Sequence, residues 1–100
     1  IKTHRSGDLN DLIASKSDTT KPAAEWNHSR IIRKGNSVEQ WMNGSLAVSF
    51  EIDSDEWNKL VSDSKYAEWP EYAKIDRGHI ILQDHGDQIW FRNLKVRDLK

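Results

Sequence analysis

Asn43-Gly44 stands between two short runs that read as strands, and it constrains the fold more than any other feature. The run after it, 46–52 (LAVSFEI), places Leu46, Val48, Phe50 and Ile52 in alternation with Ala47, Ser49 and Glu51. That is the period of a strand with one buried face. The run before it, 37–42 (SVEQWM), is the same kind of segment. An Asn-Gly pair between two such runs predicts a tight hairpin, because a type I′ turn needs positive φ at both central positions. Gly35-Asn36 marks a second turn, after a strand over 26–34 (WNHSRIIRK). Residues 26–52 are therefore expected to form a three-stranded antiparallel meander.

The period changes after Ile52. Trp57, Leu60, Val61 and Ser64 fall at i, i+3, i+4 and i+7, which predicts a short amphipathic helix at about 54–65. Asp53 or Ser54 can cap it, and Asp55 and Glu56 suit its first turn. Strand-like segments return at 78–84 (GHIILQD) and 88–97 (QIWFRNLKVR), with a turn at His85-Gly86-Asp87. In the last segment Ile89 and Phe91 share one parity while Leu94 and Val96 share the other. One face can hold all four only if a residue is inserted, so a β-bulge is expected at Arg92-Asn93, re-aiming Arg92. Residues 1–25 are polar apart from Leu9, Leu12 and Ile13, and 15–24 reads as a loop.

Five strands and one helix make an all-β chain with a sheet too poorly covered to stand alone. Five Trp and two Tyr supply core material and argue against disorder. With 15 Lys+Arg against 16 Asp+Glu, the net charge is -1, which argues against a nucleic-acid binder or an anionic-membrane binder. There is no cysteine, which excludes disulfides, thiol catalysis and cysteine-bearing metal sites. No apolar run is long enough to span a membrane as a helix, and residues 1–25 are not expected to be a signal peptide. The first residue is Ile1, which reads as a processed or truncated start.

Several polar side chains could carry chemistry. On the predicted strand 78–84 and its turn, Gln83 and His85 share one parity, and Ile80, Leu82 and Asp84 the other. Leu82 is accordingly expected in the core and Gln83/His85 in a cleft. There the amide would bond a polar ligand, and the imidazole would serve as acid, base or metal ligand. Alternatively, His85 simply orders the turn beside Gly86. His28, between Trp26 and Arg30 on one strand face, either reaches that cleft or lies on the surface. Asp84 and Asp87 are carboxylates for proton transfer or caps for the turn. Arg92 is a hydroxyl or oxyanion clamp, or the ion-pair partner of an Asp. Trp26, Trp41 and Trp90 are stacking platforms for a ligand, or core. No His spacing diagnostic of zinc exists, so any metal site would have to be closed in three dimensions.

The run Gly78-His79-Ile80-Ile81-Leu82-Gln83-Asp84-His85-Gly86-Asp87, with Phe91-Arg92-Asn93-Leu94-Lys95-Val96-Arg97 after it, closely resembles the C-terminal part of the 3-keto-disaccharide hydrolase family. So do Gly7–Ala14 (GDLNDLIA), Glu25-Trp26-Asn27, and Gly35-Asn36 through Trp41-Met42-Asn43-Gly44. Asn10 departs from the resemblance, since the family usually has Tyr there. The resemblance implies a concanavalin A-like jelly-roll sandwich. It also implies that residues 1–100 are the C-terminal portion of one domain, whose N-terminal half would be a partner. It further implies a bacterial enzyme, periplasmic or secreted, acting on 3-keto-glycosides by removing the C2 proton and eliminating the anomeric group. Under that implication His85, Gln83 and Arg92 are the catalytic candidates, and His28, Trp26, Asp84 and Trp41 the substrate contacts. A divalent metal is an open option for holding the enolate. Two other readings stay open: a non-catalytic carbohydrate-binding module on the same fold, and a β-domain with no ligand.

Overall fold

The computed structural model describes residues 9, 12–16, 18–74, 77–83, 86 and 88–99. Three strands, β1 (Ser29–Lys34), β2 (Ser37–Met42) and β3 (Ser45–Glu51), form one antiparallel sheet in the order β1-β2-β3. The expected meander is present, with β1 starting at Ser29 rather than at Trp26. Both turns take the conformations their residues favour. Asn43 (φ 51°) and Gly44 (φ 82°) are both left-handed, as a type I′ turn requires. At the other turn Gly35 alone, at φ 61°, takes the positive angle.

β2 and β3 slip register between Gln40 and Trp41, which pair with Val48 and Leu46 and leave Ala47 as the extra residue. This bulge puts Val48 on the face of Val38 and Phe50, and Leu46 on the opposite face with Trp41. Ala47 and Val48 are each only 1% exposed. Chain segment 12–16 lies along the outer edge of β3, where the Lys16 N–H donates to the Ala47 carbonyl at 2.8 Å. Leu12, from the N-terminal apolar island, is buried there.

The helix α1 runs Asp55–Ser62, inside the expected span. Ser54 caps it, its Oγ accepting from the Trp57 N–H at 3.1 Å. Trp57 is the buried residue of the helix. Its indole stacks on Phe50 of β3 (centroids 4.8 Å apart, planes 13° from parallel) and faces Tyr72 on the other side at 6.3 Å. The helix thus covers the Val38–Val48–Phe50 face of the sheet. A 3₁₀ turn, Lys65–Glu68, follows, and Tyr66 stacks on Tyr72 at 4.1 Å.

The C-terminal third departs from expectation. Residues 77–83 and 88–99 join no strand. Leu82, placed in the core on parity, is 48% exposed, and Trp90, Phe91, Leu94 and Val96 are exposed as well. The expected ladder bulge at Arg92-Asn93 has no ladder to sit in, although Asn93 does turn left-handed there, at φ 55°. The physical reason is pairing. Alternation gives a segment a face to bury but supplies no neighbouring strand or sheet to bury it against. The radius of gyration, 14.4 Å, exceeds the roughly 13 Å of a compact chain of this size. Among the described residues, no helix is long and apolar enough to cross a membrane.

Candidate functional site

A cleft of about 1250 Å³ opens between β1 and the segment 90–99. Trp26, His28 and Arg92, three of the residues singled out in the sequence, line it together. Each is held by local chain geometry. The His28 backbone extends the β1–β2 pairing by one step: its N–H donates to Asn43 Oδ1 and its carbonyl accepts from the Asn43 N–H, both at 2.8 Å. The imidazole is left at the cleft wall. Trp26 follows the turn at 22–25, where the Glu25 N–H donates to the Pro22 carbonyl. Arg92 precedes the left-handed Asn93, and its guanidinium carbon lies 4.0 Å from the centroid of the Trp26 ring. This is a cation–π contact that holds the two side chains together in the cleft.

Trp90 also lines the cleft; Gln83 and Trp41 do not. Gln83 is exposed and is not among the residues that line the cleft. Trp41 also stands apart: its indole N–H donates to Glu39 at 3.1 Å, on the sheet face away from α1. Asp84 and His85 lie outside the described residues, as does Asp87. Among the described residues no group of three His, Asp or Glu side chains is placed to hold a metal ion.

Charge is the feature of the cleft that the sequence conceals. Arg30, Arg33, Lys95 and Arg97 line it alongside Lys21 and Arg92, and Asp98 is the one acidic residue among them. The net charge of -1 averages this concentration away. A second hollow, of about 260 Å³, lies under α1 among Trp57, Tyr66, Trp69, Tyr72, Asp53 and Asn58. Trp57 comes from α1, and Tyr66, Trp69 and Tyr72 come from the segment that follows it.

The family model described as a 3-keto-alpha-glucoside-1,2-lyase-like domain matches residues 1–97. The chain belongs to that family. It is also 30% identical over 105 residues to a 3-keto-disaccharide hydrolase of Bacteroides thetaiotaomicron, an alignment covering 95% of this chain and 36% of that protein. The fold is similar to that of a Parabacteroides distasonis protein described as a candidate glycosyl hydrolase. That similarity has a TM-score of 0.69 and 25% identity, over 75% of this chain and 34% of the other. The chain therefore spans about a third of the length of each of these relatives, and the mostly-β architecture of this lyase-like chain agrees with the jelly roll expected from its sequence.

Proposed function

We propose that this chain contributes to the site of a hydrolase acting on 3-keto-glycosides. The family match over residues 1–97 carries the reading, and the Trp26–His28–Arg92 part of the cleft supports it. A ketone at sugar C3 acidifies the proton on C2. A base removes that proton, and the C2–H electron pair becomes an enolate spread over C2, C3 and the keto oxygen. The enolate then closes to a C1=C2 double bond as the C1–O bond breaks, and the departing oxygen takes a proton. Water adds across the double bond, hydroxyl to C1 and hydrogen to C2, giving net hydrolysis.

Roles follow from residue chemistry. Arg92 offers fixed donors and a permanent positive charge to the enolate oxygen. His28 presents its imidazole to sugar hydroxyls from the same wall, and Trp26 offers an aromatic edge beside the guanidinium. His85 is proposed as the base and Gln83 as a hydroxyl contact, both on the strength of the family resemblance.

The test is rate. With the full-length polypeptide that contains this chain, release of reducing sugar from a 3-keto-disaccharide is expected to fall about 100-fold or more for Arg92→Ala, with partial recovery for Arg92→Lys. An Arg92→Ala variant with kcat and KM both unchanged would remove Arg92 from the chemistry.

A further inference from the structure

We infer that the hollow under α1 is a second binding site, one that seats a single neutral pyranose ring on Trp69. The inference goes beyond the reaction above and does not rest on it. No residue lines both this hollow and the cleft. β2 also stands between β1 and β3, the strand whose Phe50 meets α1.

The rings decide where a ligand can sit. Phe50, Trp57, Tyr72 and Tyr66 form a run of stacked neighbours, with centroids 4.8, 6.3 and 4.1 Å apart in turn. The Lys65 ammonium lies 5.3 Å from the centroid of Tyr66. Each ring of that run is engaged by its neighbours, as in ordinary core packing. Trp69 differs. Its ring is tilted 50° from that of Tyr66, at 5.7 Å, and it stays 58% exposed while lining the hollow. Its backbone is tied on both sides: the N–H donates to the Tyr66 carbonyl, and the carbonyl accepts from the Tyr72 N–H, both at 3.0 Å. A large ring held in place and open to solvent is a platform ordered before any ligand arrives, which lowers the cost of binding.

The remaining lining selects the ligand. Asp53, Asn58 and Lys74 supply one carboxylate, one amide and one ammonium, and Asn58 Nδ2 donates to Asp53 Oδ1 at 3.3 Å. The two charges offset each other, so neither a cation nor an anion is favoured, while donors and acceptors for hydroxyls are both present. A pyranose carries C–H groups on its faces and hydroxyls around its rim, which matches an open indole beside such groups. The volume, about 260 Å³, falls below the roughly 300–1,000 Å³ of pockets that enclose drug-sized ligands. It suits one ring rather than a chain of them. The backbone gives an independent sign. Asp53 (φ 64°) and Ala73 (φ 60°) line the hollow, both left-handed. Aspartate tolerates that region, but alanine enters it only under strain, and such strain gathers at binding sites.

Methyl α-D-glucopyranoside is the probe, because it lacks a keto group at C3 and reports binding apart from cleavage. Followed by NMR in the full-length polypeptide that contains this chain, it is expected to bind saturably with a Kd on the order of 1 mM. Trp69→Ala is expected to weaken binding at least about 10-fold and Trp69→Phe to restore most of it. Arg92→Ala, in the cleft, is expected to leave the Kd within about twofold. Because Trp69 is exposed, Trp69→Ala is expected to melt within about 2 °C of the parent. Should it melt lower, Asp53→Asn decides: it keeps a residue that tolerates the left-handed region, removes the charged acceptor, and is expected to weaken binding about 5-fold or more. No saturation at about ten times the expected Kd would overturn the inference. So would binding that survives both Trp69→Ala and Asp53→Asn, or binding lost with Arg92→Ala. Trp69-dependent binding of tetramethylammonium in place of the glucoside would also overturn it, marking a cation site instead.

Discussion

Asn43 holds its hairpin in two ways. Its backbone sits at φ 51°, a region that asparagine tolerates better than most residues. Its side chain ties three segments together. Oδ1 accepts from the His28 N–H, while Nδ2 donates to the Thr19 carbonyl at 2.7 Å and to Asn27 Oδ1 at 2.9 Å. Thr19 returns a bond, its hydroxyl donating to the Met42 carbonyl at 2.8 Å. Replacing Asn43 with Ala costs the side-chain bonds and imposes the left-handed strain, about 2–3 kcal/mol together. Replacing it with Gly removes the bonds but not the conformational fit, so about 1 kcal/mol is expected. Urea midpoints of the two variants separate these contributions, and equal midpoints would mean the turn conformation contributes nothing. The double role was half legible. Asn-Gly announces its turn in any strand context, but a bond from Nδ2 to a residue 24 positions earlier depends on where the loop at 18–21 returns.

At the scale of elements, α1 depends on one cap and one ring. Ser54 satisfies the Trp57 N–H and also donates to the Glu51 carbonyl at 2.8 Å, so Ser54→Ala is expected to cost about 1 kcal/mol. Trp57 lies between Phe50 and Tyr72, and Trp57→Ala is expected to cost about 3–5 kcal/mol. That is comparable to the whole stability of a marginal domain, so the far-ultraviolet circular dichroism of residues 1–100 should lose its cooperative thermal transition. A retained transition at the original temperature would contradict the packing described. The helix was legible because its cap, acidic first turn and apolar stripe are all local. The bulge at Ala47 was not. In sequence, Ala47 is an ordinary outward residue of an alternating strand, and only the pairing partners reveal the slip. The segments 78–84 and 88–97 show the converse. Their pattern reads as strands with a face to bury, but the residues described there, 78–83 and 88–97, join no strand and stay exposed.

Across the whole molecule, five buried apolar residues among those described (Leu12, Val38, Ala47, Val48 and Trp57) are opposed by a larger set of exposed ones concentrated after residue 79. One sheet face is covered by α1, and the β1 edge and C-terminal segment bound an open, cationic cleft. Parts of the candidate site could be read in advance for the same reason the strands could: Trp26, His28 and Arg92 are chemically conspicuous. Their convergence could not, since it depends on the course of residues 90–99 past β1. The contact of Arg92 with Trp26 was not foreseen; an ion pair with an Asp was one of the two alternatives for Arg92, and Asp84 and Asp87 lie outside the described residues.

The central proposal is that a protein containing this chain removes the C2 proton of a 3-keto-glycoside and then hydrolyses it. Running the reaction on a 3-keto-disaccharide in deuterium oxide and analysing the product by proton NMR tests this most directly. The account predicts released sugar with deuterium at C2 of the 3-keto product, incorporated no more slowly than the glycosidic bond breaks. Bond cleavage with hydrogen fully retained at C2 would contradict it.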